Sequence, residues 1–228
     1  MSFNPAPYPP IDPTTGFPTT HVSFSKRVIA LQEQRGSRST YADFDAEGGW
    51  YRRLISPDIR RFIEGQTSVV LATASADGQP HVQHRGGPPG FLRVLDERTI
   101  VFADYEGNRQ YITQGNLQEN PRAQFLFVDY TTRRRVKVFG TAKVVDDDEN
   151  LIRSLMTDGY KAQPSAAIVF SVLLADVNCP SHIPQRFEAE SVVAALKQRD
   201  NRIAELERSL EDACRKLALA NDTSNGPV

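Results

Sequence analysis

A short polar segment carries side chains that could hold a charged ligand. An amide, an imidazole and a guanidinium, Gln83, His84 and Arg85, stand directly before Gly86 and Gly87. Two glycines let the backbone come close to a flat group, because they carry no Cβ. On an alternating strand either His84 or Arg85 points inward, where it needs an anion or an acceptor. The alternative is that these polar residues simply face solvent.

A second segment is typical of a phosphate site. It opens like the end of a strand and closes like the start of a helix, with Phe102, Ala103 and Asp104 followed by Asn108, Arg109 and Gln110. The first amides of a helix are free to bind an anion, and Arg109 adds a cation beside them. The pattern predicts that Arg109 binds phosphate, with an ordinary surface arginine as the alternative.

Further basic residues lie near the chain's later strands. Arg135 and Lys137 stand two residues apart in a strand-like run and therefore share one face. By default such a run is solvated, but that face could also meet an anionic ligand. His182 and Arg186 lie in a proline-punctuated loop, and we expect them at most at the rim of a site.

Short strands separated by turns position these segments. The run from Thr67 to Val145 contains six of them, and Asp77-Gly78 is a strong hairpin signal. A further strand is predicted over residues 166–178. Ser56 and Pro57 are typical of a helix start. The pattern predicts a mainly β fold, an antiparallel barrel of six to seven strands with flanking helices.

A long helix follows the predicted barrel. Apolar residues recur at steps of three and four from Val192 to Ala220, with Arg199 interrupting the stripe. This heptad pattern favours pairing between subunits, and the alternative is packing on the chain's own barrel. We therefore divide the chain into a proline-rich extended arm (1–20), an N-terminal helical segment (21–55), the barrel (56–187), the heptad helix (188–221) and a disordered tail (222–228).

The order of these elements resembles the pyridoxamine 5'-phosphate oxidase-like family of FMN-binding split barrels. The resemblance covers roughly residues 56–145. Its first elements are a short helix, Pro57–Gly65, and a hairpin with Asp-Gly and Gln-Pro, Ser68–Pro80. A strand end (Phe102–Asp104), a basic helix start (Asn108–Gln110) and a Glu-Asn-Pro-Arg turn (Glu119–Arg122) follow in that order.

The resemblance implies a cofactor and an assembly. It implies FMN bound by Gln83 to Gly87, Phe102 to Asp104, Asn108 to Gln110, Arg135 and Lys137, in sites shared by the two subunits of a homodimer. In the family the position of Arg135 is often a glutamine that contacts the flavin. The family's C-terminal substrate-binding tail is replaced here by the long helix, which argues against oxidation of pyridoxamine phosphate itself.

Two functions follow as hypotheses. The first is an FMN-dependent oxidoreductase that moves hydride or electrons to or from a small molecule, since a flavin enzyme needs no catalytic triad. The alternative is a non-catalytic flavin- or haem-binding protein for sensing or storage, because one fold hosts many functions.

Composition narrows the class of protein. The formal net charge is −1, which argues against nucleic-acid binding, and no apolar run is long enough to span a membrane. Cys179 and Cys214 are the two cysteines, and no metal-binding spacing is present. We expect a reduced, cytoplasmic setting.

Overall fold

The computed structural model describes residues 22, 24–42 and 54–224. The predicted arm over residues 1–20, the segment 43–53 and the end of the predicted tail, 225–228, lie outside the described residues. The chain divides into two compact units. The first extends to Asp129 and continues over Arg133–Ile183, and the second combines Tyr130–Thr132 with the chain from Pro184 onward. The predicted boundary at residue 187 thus falls slightly later than this division.

Short helices precede the sheet. Helix α1 spans Lys26–Gln34 and is followed by a 3₁₀ turn at Arg38–Tyr41. Helix α2 spans Pro57–Glu64, and the Ser56 hydroxyl accepts a hydrogen bond from the Ile59 amide at 3.3 Å. This cap and the proline at the first helical position are the signals that predicted the helix.

Seven antiparallel strands form one sheet, which confirms the predicted split barrel with flanking helices. Their order is β2-β1-β5-β6-β7-β4-β3, so β2 and β3 are the two edges. The strands are β1 Ser68–Ala74, β2 Pro80–Gly86, β3 Leu92–Asp96, β4 Thr99–Tyr105, β5 Arg122–Asp129, β6 Arg134–Val145 and β7 Pro164–Asn178. The hairpin between β1 and β2 turns where Asp77-Gly78 predicted it, and Gly78 takes a φ of 92°.

The main core lies on one face of this sheet, which we call the inner face. Side chains alternate along β1, β5 and β6, so that Leu71, Phe125 and Val138 are fully buried there. Helix α2 packs on the same core with its apolar side, including Ile63. The opposite, outer face carries the alternate residues of these strands.

Strand β4 is buried on both faces. Phe102 belongs to the main core, where its ring lies 5.9 Å from that of Phe125. Ala103 faces the other way and packs against Leu155, just after helix α4, which spans Glu149–Ser154. Double burial explains why residues 100–104 of this strand are all shielded from solvent.

The second unit is dominated by helix α5, which spans Ala189–Ser224. It confirms a helix over the heptad segment and extends three residues beyond the predicted end at 221. Among the helices that the structure describes, none combines the length and apolar character that crossing a membrane requires.

Candidate functional site

A pocket of about 210 Å³ opens where the end of β4 approaches β2. Its wall is completed by the loop after β4 and by the start of helix α3, which spans Ile112–Glu119. The lining residues come from β2, β4, the loop after β4, α3 and the start of β7: Gln83, Arg85, Asp104, Tyr105, Glu106, Gly107, Asn108, Arg109, Gln110, Tyr111, Ile112, Thr113, Gln114 and Ser165. Polar groups therefore dominate this wall.

A buried ion pair lies in the pocket wall. Arg85 Nη1 donates to Asp104 Oδ1, and the two side chains are 18% and 5% exposed. Gln114 Nε2 donates to the other carboxylate oxygen, Oδ2, at 3.1 Å. Strands β2 and β4 are not neighbours in the sheet, so this pair joins two strands that no backbone ladder connects.

One donor of this network has no acceptor. Arg85 Nε is buried and makes no hydrogen bond within the described part of the chain. A buried donor without a partner costs free energy, so such groups are unusual outside sites that bind something. Arg85 lies opposite the buried Val69 and is therefore the inward member of the His84-Arg85 pair, while its Nε–H is unpaired within the described part of the chain.

The predicted helix start at Arg109 is wrong, because helix α3 begins at Ile112. Arg109 and Tyr111 have left-handed backbones, with φ of 58° and 55°, and such residues cannot continue a right-handed helix. The Asn108 side chain accepts a hydrogen bond from the Gln110 amide at 3.2 Å, which caps a turn of the loop instead of a helix.

The loop nevertheless brings Arg109 to the pocket. Its Nη2 lies 3.5 Å from Glu106 Oε2, and the two side chains are 70% and 55% exposed. An exposed pair of this kind is weak, so the guanidinium can exchange its partner for a bound anion. Tyr111, which precedes α3, makes no side-chain capping bond to the first turn of that helix.

Tyr105 is the aromatic residue of β4 that reaches the pocket wall. Burial raises the pKa of its phenol, the neighbouring Tyr160 adds to the increase, and Arg93 opposes it. Its hydroxyl is buried and has no partner among the described residues. The phenol therefore remains a neutral donor at physiological pH.

Other predicted basic residues occupy the outer face. His84 is exposed there and lies opposite Val70, which in turn lies opposite Leu126. Lys137 faces Leu126 on the next strand, and Arg135 follows on the same face. Arg135 and Lys137 thus share one face as predicted, but it is the face opposite the one that carries Arg85 and Asp104.

The two glycines have different surroundings. A Cβ at Gly87 would lie 2.7 Å from the Phe91 ring, whereas one at Gly86 would meet the His84 ring at 3.2 Å. Packing against the buried Phe91 accounts for Gly87 without any ligand. The predicted passage of this backbone beside a flat group is not required to explain the glycine.

The structure thus separates the predicted site residues. It brings six of them to the pocket, Gln83, Arg85, Asp104, Asn108, Arg109 and Gln110. The other seven line no part of it: Phe102 and Ala103 are core residues, Gly86 and Gly87 lie at the end of β2, and His84, Arg135 and Lys137 lie on the outer face.

The two rim candidates occupy separate units. His182 is exposed and has a left-handed backbone with φ of 65°. Arg186 belongs to the second unit, where its guanidinium lies 4.4 Å from the centre of the Tyr130 ring. A role for either at the rim stays a prediction.

Several pocket residues were absent from the sequence-based set. Gln114 donates to the Asp104 carboxylate, and Glu106 pairs with Arg109. Ser165 Oγ donates to the Asp104 carbonyl at 3.0 Å. Glu106 lies inside the segment that sequence reasoning singled out. Ser165 is 61 residues from Asp104, so no local pattern signals their contact.

Comparison with known proteins gives relatives for the barrel. A pyridoxine/pyridoxamine 5'-phosphate oxidase from Acidothermus cellulolyticus is 31% identical over 99 residues, which cover 43% of this chain and 40% of the relative. One from Acinetobacter baumannii is 27% identical over 146 residues, covering 61% and 58%. The chain therefore matches less than two thirds of the length of these relatives.

A solved structure is also similar. HupZ from Group A Streptococcus is 21% identical, with 52% of this chain and 90% of that chain covered at a TM-score of 0.44. A likeness of this size says nothing about a ligand.

A family as a whole also matches this chain. Residues 55–178 match the family described as pyridoxamine 5'-phosphate oxidase, and this range includes all seven strands of the sheet. Because this match covers more than half of the 228-residue chain, the protein belongs to the pyridoxamine 5'-phosphate oxidase family.

Proposed function

We propose that the pocket binds the phosphate end of FMN and that the protein is a cytoplasmic FMN-dependent oxidoreductase. The observation that carries the proposal is that two arginines, which differ in exposure and in the strength of their ion pairs, line the same pocket. Arg109 is exposed and weakly paired, and Arg85 is held rigidly with an unused buried N–H. A phosphate is a strong acceptor for both kinds of donor.

The residues present fit the polar end of this cofactor. The pocket of about 210 Å³ is smaller than the roughly 300 Å³ at which sites for drug-sized ligands begin. One chain therefore accommodates the phosphate and part of the polar chain attached to it. The flavin ring needs further surface.

A second subunit would supply that surface, so we propose a homodimer with shared sites. Apolar residues on the outer face support this assembly, since Val70, Leu126 and Phe139 are only half-buried and Val82 is 62% exposed. His84, Arg135 and Lys137 lie among them and would come to the shared site from this face.

When bound, FMN supplies hydride or electron transfer. The chain's own residues would position it: Arg109 would hold the phosphate, and Asp104 would fix the Arg85 guanidinium. The substrate is proposed only as a small molecule that accepts or donates hydride.

Titration with FMN and with riboflavin tests the phosphate site. Riboflavin lacks only the phosphate, so the protein should bind FMN at least ten-fold more tightly. Equal affinities would contradict the site. Haem titration and turnover of reduced nicotinamide with a panel of acceptors then separate the oxidoreductase from a non-catalytic flavin or haem binder.

Sedimentation with and without FMN tests the shared site. A ligand bound between subunits must stabilise their association, so FMN should shift the protein towards the dimer. A flavin-saturated monomer at micromolar concentration would contradict this assembly.

A further inference from the structure

Helix α5 carries a long apolar stripe that is open to solvent. The helix has 36 residues, which corresponds to about 54 Å at 1.5 Å per residue. Its large apolar side chains are 43–65% exposed and fall at heptad spacing: Val192, Leu196, Ile203, Leu206, Leu210 and Leu217. Exposed apolar stripes of this length mark interaction surfaces.

The charges beside the stripe are sorted by sign. With Ile203 and Leu210 at position a of the heptad, Arg202 and Lys216 occupy position g. Asp200 and Glu207 then occupy position e on the other side of the stripe. Residues at e and g flank the contact between paired helices and set their orientation.

This sorting distinguishes the two orientations. In a parallel pair, position g of one helix lies beside position e of the other, so Arg202 meets Glu207 of the other copy. In an antiparallel pair, e lies beside e and g beside g, so acids would meet acids and bases would meet bases. Charge complementarity therefore favours the parallel orientation.

We infer that α5 pairs in parallel and in register with α5 of a second copy of this chain. The inference does not depend on flavin binding, because it rests only on residues of the helix. The apolar stripe of one α5 helix packs against the same stripe of the second copy. Because a two-fold axis relates the two helices, the Arg202–Glu207 contact forms twice.

Arg199 favours the in-register pair over pairs shifted by a heptad. It occupies a d position, so an in-register pair brings two guanidinium groups into one layer. A polar residue at a single core position lowers stability but specifies register. Sliding one helix by a heptad would set Arg199 against Val192 or Leu206 and bury each charge in an apolar layer.

Disulfide trapping of the full-length protein tests the pairing. In a background with Cys179→Ser and Cys214→Ser, both exposed positions, we compare Leu210→Cys with Glu211→Cys. Facing a positions lie within disulfide reach, whereas residue 211 points away from the contact. Leu210→Cys should form covalent dimers at least ten-fold faster under mild oxidation, and equal rates would overturn the pairing.

Mixed trapping tests the orientation. Leu196→Cys and Ala213→Cys proteins, one of them carrying a tag, are mixed and oxidised in the same background, because position a faces position d only in an antiparallel pair. A parallel pair links each variant mainly to itself. Faster linking between the two variants would overturn the parallel orientation.

Charge reversal tests the contact between Arg202 of one helix and Glu207 of the other. Adding Arg202→Glu to Leu210→Cys should slow trapping several-fold, and adding Glu207→Arg as well should restore the rate. Failure of restoration would overturn the Arg202–Glu207 contact. All rates are measured with and without FMN. A protein that binds FMN but is not trapped would contradict the helix pairing and leave the proposed flavin site standing.

Discussion

Neighbouring residues of β2 lie in opposite environments on the two faces of the sheet. Arg85 is 18% exposed and is paired with the buried Asp104, whereas His84 is exposed on the outer face. The sequence offered both as equal candidates. The difference shows that the face of a strand, rather than the chemistry of a side chain, decides which residue belongs to the pocket.

The same contrast separates the arginines of the pocket. The Arg85 charge is buried and is stable there only with its carboxylate partner. The Arg109 charge is 70% exposed and is weakly paired with Glu106. The inner pair therefore acts as a scaffold, while the loop arginine is free to exchange partners, and substitutions of Asp104, Arg109 and Glu106 test that distinction.

The largest expected effect comes from breaking the scaffold. Asp104→Ala leaves the Arg85 charge buried without a partner and should lower the free energy of unfolding by about 3–5 kcal/mol. Lys137→Ala, on the outer face, should change it by no more than about 0.5 kcal/mol. Urea denaturation of both variants measures the contrast.

A double substitution is the control for this result. Arg85→Met with Asp104→Leu removes both charges and should recover most of the lost stability, because an apolar pair can replace a buried ion pair. A double variant as unstable as Asp104→Ala alone would show that the pair contributes through packing rather than charge.

The loop arginine should affect binding instead of folding. Arg109→Ala should weaken FMN binding by about 1.5–3 kcal/mol, the value of a hydrogen bond to a charged group. Riboflavin binding and the urea midpoint should stay unchanged, since Arg109 is exposed. Unaltered FMN affinity would remove Arg109 from the site.

Gly87 tests the packing explanation at the end of β2. Gly87→Ala forces a Cβ against the buried Phe91 and should cost about 1–3 kcal/mol of stability. Gly86→Ala should cost less, because its Cβ would meet the movable His84 ring at 3.2 Å and the Thr67 carbonyl at an ordinary contact distance of 3.4 Å. Gly87→Ala should lower the melting temperature equally with and without FMN. A larger decrease with FMN would indicate that Gly87 lies beside the ligand.

The smallest expected effect concerns the partner of Arg109. Glu106→Gln removes the competing carboxylate, so FMN should bind more tightly by about 0.2–1 kcal/mol, the usual value of an exposed ion pair. The gain should disappear in the Arg109→Ala background. Weaker FMN binding in Glu106→Gln would show that Glu106 supports the site rather than competing with the ligand.

Local signals predicted much of the fold. Ser56 and Pro57 specify the start of α2, and Asp77-Gly78 specifies the first hairpin, because caps and turns depend on residues adjacent in sequence. The start of α3 escaped prediction. The left-handed backbones of Arg109 and Tyr111 are uncommon for these residue types, so residue propensities do not predict them.

Local sequence patterns were enough to predict the strands and their alternation, because periodicity and turn chemistry are local properties. That Arg85, Asp104 and Arg109 share one site was implied only by the family resemblance. Only the tertiary structure decided that Arg85 meets Asp104 across strands that are not neighbours, while His84 faces away. That contact depends on the order of strands in the sheet, which brings together residues far apart in the chain.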